Sequence, residues 1–246
     1  MIVLKFGGTS VGNAEAIRRA GSIIRSCLDR DPFVVVSAVG GVTDRLFELR
    51  DLSLGGQQWE GSLDALCALH RDILSELGLD AELVDGLLAE LNTLLAELSG
   101  AGECSAKSLD HLVSFGERMS APIVAAHLQA EGLTSQSVDA FDAGMVTDGR
   151  HQRARPLDDV NTRIQEACEQ FEGVVVATGY IARDEEGNIT TLGRGGSDYS
   201  ASIFGSALGA EEIQIWTDVD GVMTADPRLV PAASPLKALS FEEAAA

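Results

Sequence analysis

A lysine followed closely by two glycines, in Lys5-Phe6-Gly7-Gly8-Thr9-Ser10, is the first arrangement in this chain that could do chemistry. Lys5 sits in an apolar run, where an ammonium group is costly unless it is paired or used. Glycines after it let backbone N–H groups approach an anion closely. Together they predict an anion site rather than an edge lysine turned to solvent. A second turn, Gly193-Arg194-Gly195-Gly196-Ser197, opens a helical pattern, and two more, Ser37 to Gly41 and Thr217 to Gly221, follow strand-like runs. Two such loops facing one crevice can cradle phosphates. Arg194 adds a guanidinium that can grip a carboxylate in bidentate fashion. Taken alone, Asp198 reads as a helix cap or dipole partner. Glu117, in Phe115-Gly116-Glu117-Arg118, reads alone as half of a surface ion pair with a neighbouring arginine.

Other chemistries are poorly supported. The Gly-x-x-x-x-Gly-Lys-Ser/Thr loop is absent, as is Gly-x-Gly-x-x-Gly after the first strand, so neither a standard P-loop nor a dinucleotide fold is expected. Cys27, Cys67, Cys104 and Cys168 form no C-x-x-C pair, which argues against zinc and for reduced thiols in the cytoplasm. His70, His111, His127 and His151 have neither ligand spacing nor a nucleophile partner and receive no role.

These residues need elements to place them. Ile2–Phe6, Phe33–Ser37 and Gly173–Thr178 are continuous apolar runs, the pattern of strands buried on both faces. Ser135–Val138, Met145–Thr147, Ile189–Leu192 and Glu212–Trp216 read as further strands. Helical patterns cover Ala14–Leu28 (capped by Asn13), Trp59–Leu77, Asp80–Leu98, Lys107–Glu131, Pro156–Phe171 and Ser197–Leu208. Pro122 is a candidate kink and Pro156 suits a first turn. Strands alternating with helices predict an α/β fold with a mainly parallel sheet. Residues 59–102 interrupt the alternation and read as a helical insertion or lid-side subdomain, with their leucine stripe buried. A helix is expected to start at Phe241.

The chain has 246 residues, 45% apolar and 23% charged, enough for one large domain or two small ones. Its formal charge is −20, and no basic stripe exists to meet nucleic acid or an anionic membrane. No apolar run reaches the ~18 residues of a membrane span, and the N-terminus lacks a signal-peptide pattern. Of 18 basic residues only Lys5, Lys107 and Lys237 are lysines, leaving 18 − 3 = 15 arginines. A lysine-poor acidic surface fits a salt-rich cytoplasm, or an ordinary acidic protein from an arginine-favouring genome.

Four ordered motifs resemble those of aspartate kinases. They are Lys5 to Val11, Phe115 to Arg118, Gly193-Arg194-Gly195-Gly196-Ser197-Asp198-Tyr199-Ser200-Ala201, and Trp216-Thr217-Asp218-Val219-Asp220-Gly221-Val222-Met223-Thr224-Ala225-Asp226-Pro227-Arg228. The likeness covers essentially the whole chain and is greatest to the lysine-sensitive type and to the kinase half of aspartate kinase–homoserine dehydrogenases. It implies the amino-acid-kinase fold, a three-layer α/β/α sandwich, over residues 1–246. It implies ATP-dependent phosphorylation of the L-aspartate side-chain carboxylate to 4-phospho-L-aspartate, the first step towards lysine, threonine, methionine and isoleucine. By resemblance, Lys5 and Asp198 are catalytic. Ser37, Thr43, Glu117, Arg194, Gly195, Gly196 and Ser197 bind aspartate. Lys5, Gly7, Gly8, Ser10, Thr217, Asp218, Met223 and Arg228 serve the nucleotide. Mg²⁺ is expected to accompany ATP with few dedicated protein ligands, and no residue is assigned to it. The full-length protein is expected to be a cytoplasmic homo-oligomer.

The sequence departs from the family in two places. Met223 stands where many members carry an aromatic residue, and a polarizable methionine can still pack on adenine. The chain also stops before the family's Phe-Gly-x-Lys-Val-Leu-His-Pro segment and regulatory ACT domains. The expectation is therefore a truncated kinase domain with weakened ATP binding and no feedback control. Two alternatives remain open: a kinase of this fold acting on glutamate, acetylglutamate or a nucleotide, and a non-catalytic binding module.

Overall fold

The computed structural model of the chain describes residues 1–219, 221–226, 229–240 and 242–243, in two units, 1–216 and 217–246. The first unit begins β1 (Ile2–Phe6), α1 (Ala14–Ser26), β2 (Pro32–Val36), α2 (Val42–Leu54), α3 (Glu60–Leu77), α4 (Asp85–Ala101) and α5 (Ala106–Ala130). It continues β3 (Ser135–Val138), β4 (Val146–Thr147), α6 (Val160–Cys168), β5 (Val174–Thr178), β6 (Ile181–Asp184), β7 (Ile189–Thr191), α7 (Gly196–Ala207) and β8 (Glu212–Trp216). The main sheet is parallel throughout, in the order β3-β5-β2-β1-β8. A small second sheet, β4-β6-β7, pairs its last two strands antiparallel.

Strand alternation sorts the side chains into two cores, one on each face of the sheet. Ile2, Leu4, Phe6, Val34, Val36, Val174 and Val176 join α1 and α5 on one side. Val3, Phe33, Val35, Val175 and Ala177 join α6 and α7 on the other. This is the mainly parallel α/β sheet that the buried runs predict, in the α/β/α sandwich that the resemblance implies. The period of two also decides the fate of Lys5: it shares a face with Val3, and so points towards α7.

The helices of residues 59–102 are an insertion packed into the main core, not a lid-side subdomain: Leu66, Leu74, Leu91, Leu95 and Leu98 enter the same core as α1, α2 and α5. The buried Ser53 hydroxyl also ties α2 to the Leu95 carbonyl of α4 at 2.7 Å. Two helix starts move as well. Asp80 makes a turn, accepting from the Glu82 N–H at 2.9 Å, and α4 begins only at Asp85. Pro156 bridges Thr147 instead of opening a helix, and α6 begins at Val160. Pro122 sits inside α5 without ending it.

In the second unit Met223 bridges Pro235, flanked by Thr224 N–H to Ser234 O at 3.0 Å and Leu236 N–H to Val222 O at 2.7 Å. Of the helix expected from Phe241, only Glu242 and Glu243 are described, and both are helical. Ser240 and Glu243 form a reciprocal capping box there, with bonds of 2.8 and 3.2 Å.

Candidate active site

A cleft of about 460 Å³ opens beyond the carboxyl ends of β1, β2 and β5, where ligands bind in open parallel sheets. Lys5, at 8% exposure, reaches its floor and meets Asp198 with Nζ to Oδ1 at 2.6 Å. Asp198 lies in the first turn of α7, where a negative charge also suits the helix dipole. The pairing answers the sequence question about both residues: the buried ammonium has a partner, and the acid does more than cap a helix.

The opposite wall comes from α5. Gly116 lets that helix approach the loop after β2: a Cβ there would lie 2.7 Å from that of Ala38. The Ser120 hydroxyl locks the contact by donating to the Ser37 carbonyl at 2.7 Å. Glu117 is thereby buried at 4% exposure, and its Oε2 has no hydrogen-bond partner among the described residues. Burial raises its pKa from 4.5 to about 8; the Ala38 backbone N–H and the Lys5 charge only partly offset this. The surface ion pair read from the sequence is not formed. Arg118 instead points away from the cleft and grips Glu90 with two bonds of 3.1 Å.

The third wall is the turn before α7. Gly193 and Gly195 have φ of +82° and +72°, a conformation that favours glycine. Gly196 faces the Tyr180 ring, 2.7 Å from where a Cβ would lie, and Gly179 meets Ser197 equally closely. Arg194 stands exposed at the rim, with no hydrogen bond or ion pair among the described residues. Thr43, in the first turn of α2, completes the enclosure, so the N-termini of α2 and α7 both face the cleft.

The structure thus brings together Lys5, Gly8, Ser37, Thr43, Glu117, Arg194, Gly195, Gly196, Ser197 and Asp198. Gly7 and Ser10 hook their loop to β8 instead: the Gly7 N–H donates to the Trp216 carbonyl at 3.0 Å and the Ser10 hydroxyl at 3.2 Å. Gly8 and Gly40 pack closely against one another, so two glycine turns meet at the cleft. Thr217, Asp218 and Met223 belong to the second unit, where the Thr217 hydroxyl donates to Asp218 at 3.1 Å. Arg228 lies outside the described residues. Among the described residues no cluster of three or more His, Cys, Asp or Glu could hold a metal ion.

Sequence reasoning missed Tyr180 and Asp44, which also line the cleft. Tyr180 has φ +67°, unusual for a bulky residue, and no local pattern marks it. Asp44 belongs to a helix that the sequence did not reveal.

Comparison with known proteins gives a consistent picture. The profile of the amino acid kinase family matches residues 1–246. Aspartokinase 2, chloroplastic, of Arabidopsis thaliana is 36% identical over 252 residues, covering 99% of this chain and 46% of the relative. The lysine-sensitive aspartokinase 3 of Escherichia coli is 37% identical over 253 residues, covering 100% of this chain and 55% of the relative. The crystal structure of E. coli aspartokinase III with aspartate and ADP superposes with a TM-score of 0.88 at 34% identity, over 100% of this chain and 55% of that one. The chain spans about half the length of the curated relatives it matches.

Proposed function

This chain belongs to the amino acid kinase family, and on that premise we propose that it transfers the γ-phosphoryl group of ATP to the side-chain carboxylate of L-aspartate. The observation that carries this reading is the Lys5–Asp198 pair on the floor of a cleft whose far wall holds a buried carboxyl group with an unpartnered oxygen. That combination offers one positive group to a transferring phosphoryl and one acceptor to a substrate ammonium. The structural likeness to an enzyme crystallised with aspartate and ADP supports the same choice.

Phosphoryl transfer asks a protein chiefly to position groups and to neutralise charge. Lys5 stabilises charge on the transferring phosphoryl, and Asp198 fixes the ammonium in place. Glu117 receives the α-ammonium of aspartate, and Arg194 takes a substrate carboxylate. Ser37, Thr43 and the Gly195–Ser197 turn supply further polar contacts. No general base is required, because a carboxylate nucleophile is already ionised near pH 7.

Gly8, against Gly40, leaves its backbone open to phosphate, while Gly7 and Ser10 hold the loop. Thr217, Asp218, Met223 and Arg228 are assigned to the nucleotide by family resemblance. Mg²⁺ bound together with ATP would supply positive charge to neutralise the phosphates. Among the described residues no helix is long and apolar enough to cross a membrane, and all four cysteines are free. We propose a cytoplasmic enzyme that is homo-oligomeric in its full-length form.

The test is aspartate-dependent ATP turnover, with the acyl phosphate trapped by hydroxylamine and glutamate as control. Turnover with aspartate alone upholds the reading. Turnover with glutamate, or binding of both ligands without transfer by the folded chain, overturns it.

A further inference from the structure

Asp110 is fully buried, and the proposed chemistry does not use it. It lies seven residues before Glu117 on α5, two turns away and on the same face. Four donor groups converge on its carboxylate: His151 Nδ1 at 2.9 Å, the Gln152 N–H at 2.9 Å, the Thr191 N–H at 3.2 Å and the Thr191 hydroxyl at 2.7 Å. None of them belongs to its own helix. Two come from the loop before Pro156, and two from the last residue of β7.

Both segments lead to the substrate turn. Thr191 precedes Arg194 by three residues, and its carbonyl accepts from the Ala154 N–H at 2.9 Å. Gln152, held at φ +68°, presses its carbonyl on Gly193, 3.0 Å from where a Cβ would lie. The Tyr180 carbonyl accepts from the Leu192 N–H at 2.9 Å. The Tyr180 ring then backs Gly196. Asp110 is therefore bonded to the two strips of backbone between which the Gly193–Gly196 turn emerges.

We propose that Asp110 is a positioning residue for substrate capture: by holding Thr191 and Gln152 it fixes the entry to the Gly193–Gly196 turn, and so the place of Arg194. The inference rests on the reading of that turn as part of the aspartate site. Asp110 does not line the cleft and touches no reacting atom. A fully satisfied buried acid rigidifies the groups that donate to it, and here those groups lead into the turn.

Four variants of the 246-residue chain test this. Asp110→Asn puts an amide N–H against groups that already donate. Thr191→Val deletes the hydroxyl at nearly constant shape, and Thr191→Ser keeps it. Asp184→Asn is the structural control: that acid is also buried, but accepts from the Glu186 and Asn188 N–H groups at the far end of the β6–β7 hairpin. Asp110→Asn and Thr191→Val are expected to raise the KM for aspartate about tenfold, about the worth of one hydrogen bond. The KM for ATP stays unchanged, and Thr191→Ser restores the aspartate value. Asp184→Asn lowers the melting temperature and leaves KM alone. Amide hydrogen exchange of residues 190–197 is expected to speed up in Asp110→Asn without any ligand.

An unchanged aspartate KM in folded Asp110→Asn and Thr191→Val overturns the proposal, as does a parallel loss in both substrates and kcat. If the unaltered chain turns over no aspartate, the functional reading fails, and the exchange data decide alone. Faster exchange confined to 190–197 upholds the positioning role, and unchanged exchange overturns it.

Discussion

At the residue scale the proposal turns on two groups of opposite sign. Replacing Lys5 with alanine removes the positive group at the cleft floor, and kcat is expected to fall by about 10²–10³, as when one donor to a transition-state charge is lost. Stability should change little, because Asp198 is 54% exposed and its loss of a partner is screened. Urea unfolding beside steady-state kinetics checks both, and retained turnover would remove Lys5 from the chemistry. Glu117 makes a prediction in pH. Its pKa is about 8 in the folded chain and 4.5 as its ordinary value, so the native state holds a proton that the unfolded chain has released. The resulting stability is fully present below 4.5 and is lost as pH rises through about 8. Asp139, pushed up to about 6, is mostly ionised by pH 7, and the buried His70 and His127 titrate below the ordinary histidine value. Between pH 7 and 8 the melting temperature should therefore fall, and Glu117→Gln should flatten that slope. Aspartate, whose ammonium favours the ionised carboxylate, should bind more tightly over the same interval, and calorimetry should record proton release. A pH-independent affinity in the unaltered chain would detach Glu117 from the ammonium.

At the scale of elements, helix approach is what makes the cleft, and Gly116 is its measure. Alanine is the better helix former by about 1 kcal/mol, yet at position 116 its methyl group would crowd Ala38 at 2.7 Å. Gly116→Ala is expected to destabilise the chain by about 1–3 kcal/mol, the usual cost of overpacking. It should also raise the aspartate KM by shifting Ser37, and denaturant unfolding with kinetics measures both; a stabilised Gly116→Ala would show that the loop after β2 yields freely. The elements that carry such contacts were unequally legible. β1, β2 and β5 announce themselves as unbroken apolar runs, and the glycines around Lys5 and Arg194 mark the turns that line the cleft. α2 does not: its N-cap is Gly41 at φ +79°, which offers no capping side chain, and Thr43-Asp44-Arg45 looks like a loop. β6 was hidden for another reason. Asp184 and Arg183 read as surface residues, but hairpin amides satisfy Asp184 in burial. The burial of Glu117 and the convergence on Asp110 depend on contacts between distant segments, which no local spacing encodes.

At the scale of the molecule, the chain order explains where the cleft lies. From β1 the chain steps through β2 to β3 with α1–α5 on one face, then returns through β5 to β8 with α6 and α7 on the other. The chain leaves β2 towards one face and the neighbouring β5 towards the other, so the loops after β1 and β2 and the turn before α7 meet at one end of the sheet. The charge of the whole chain is a separate property, with its own test. A net −20 is compatible with this cleft because the local groups, Lys5, Arg194 and two helix N-termini, set the potential where an anion binds. Over the whole chain 38 acids face 18 bases, and many of the ion pairs among the described residues are exposed. Such pairs add little, whereas like-charge repulsion in the folded state acts over the whole surface. Salt at molar concentration shortens the screening length to about 3 Å and removes that repulsion. If the acidity is a salt adaptation, the melting temperature should rise from low to molar KCl by about 2–4 °C for each kcal/mol relieved. A flat or falling curve would instead leave the arginine-rich, lysine-poor composition as a bias of the coding sequence, with the fold indifferent to it.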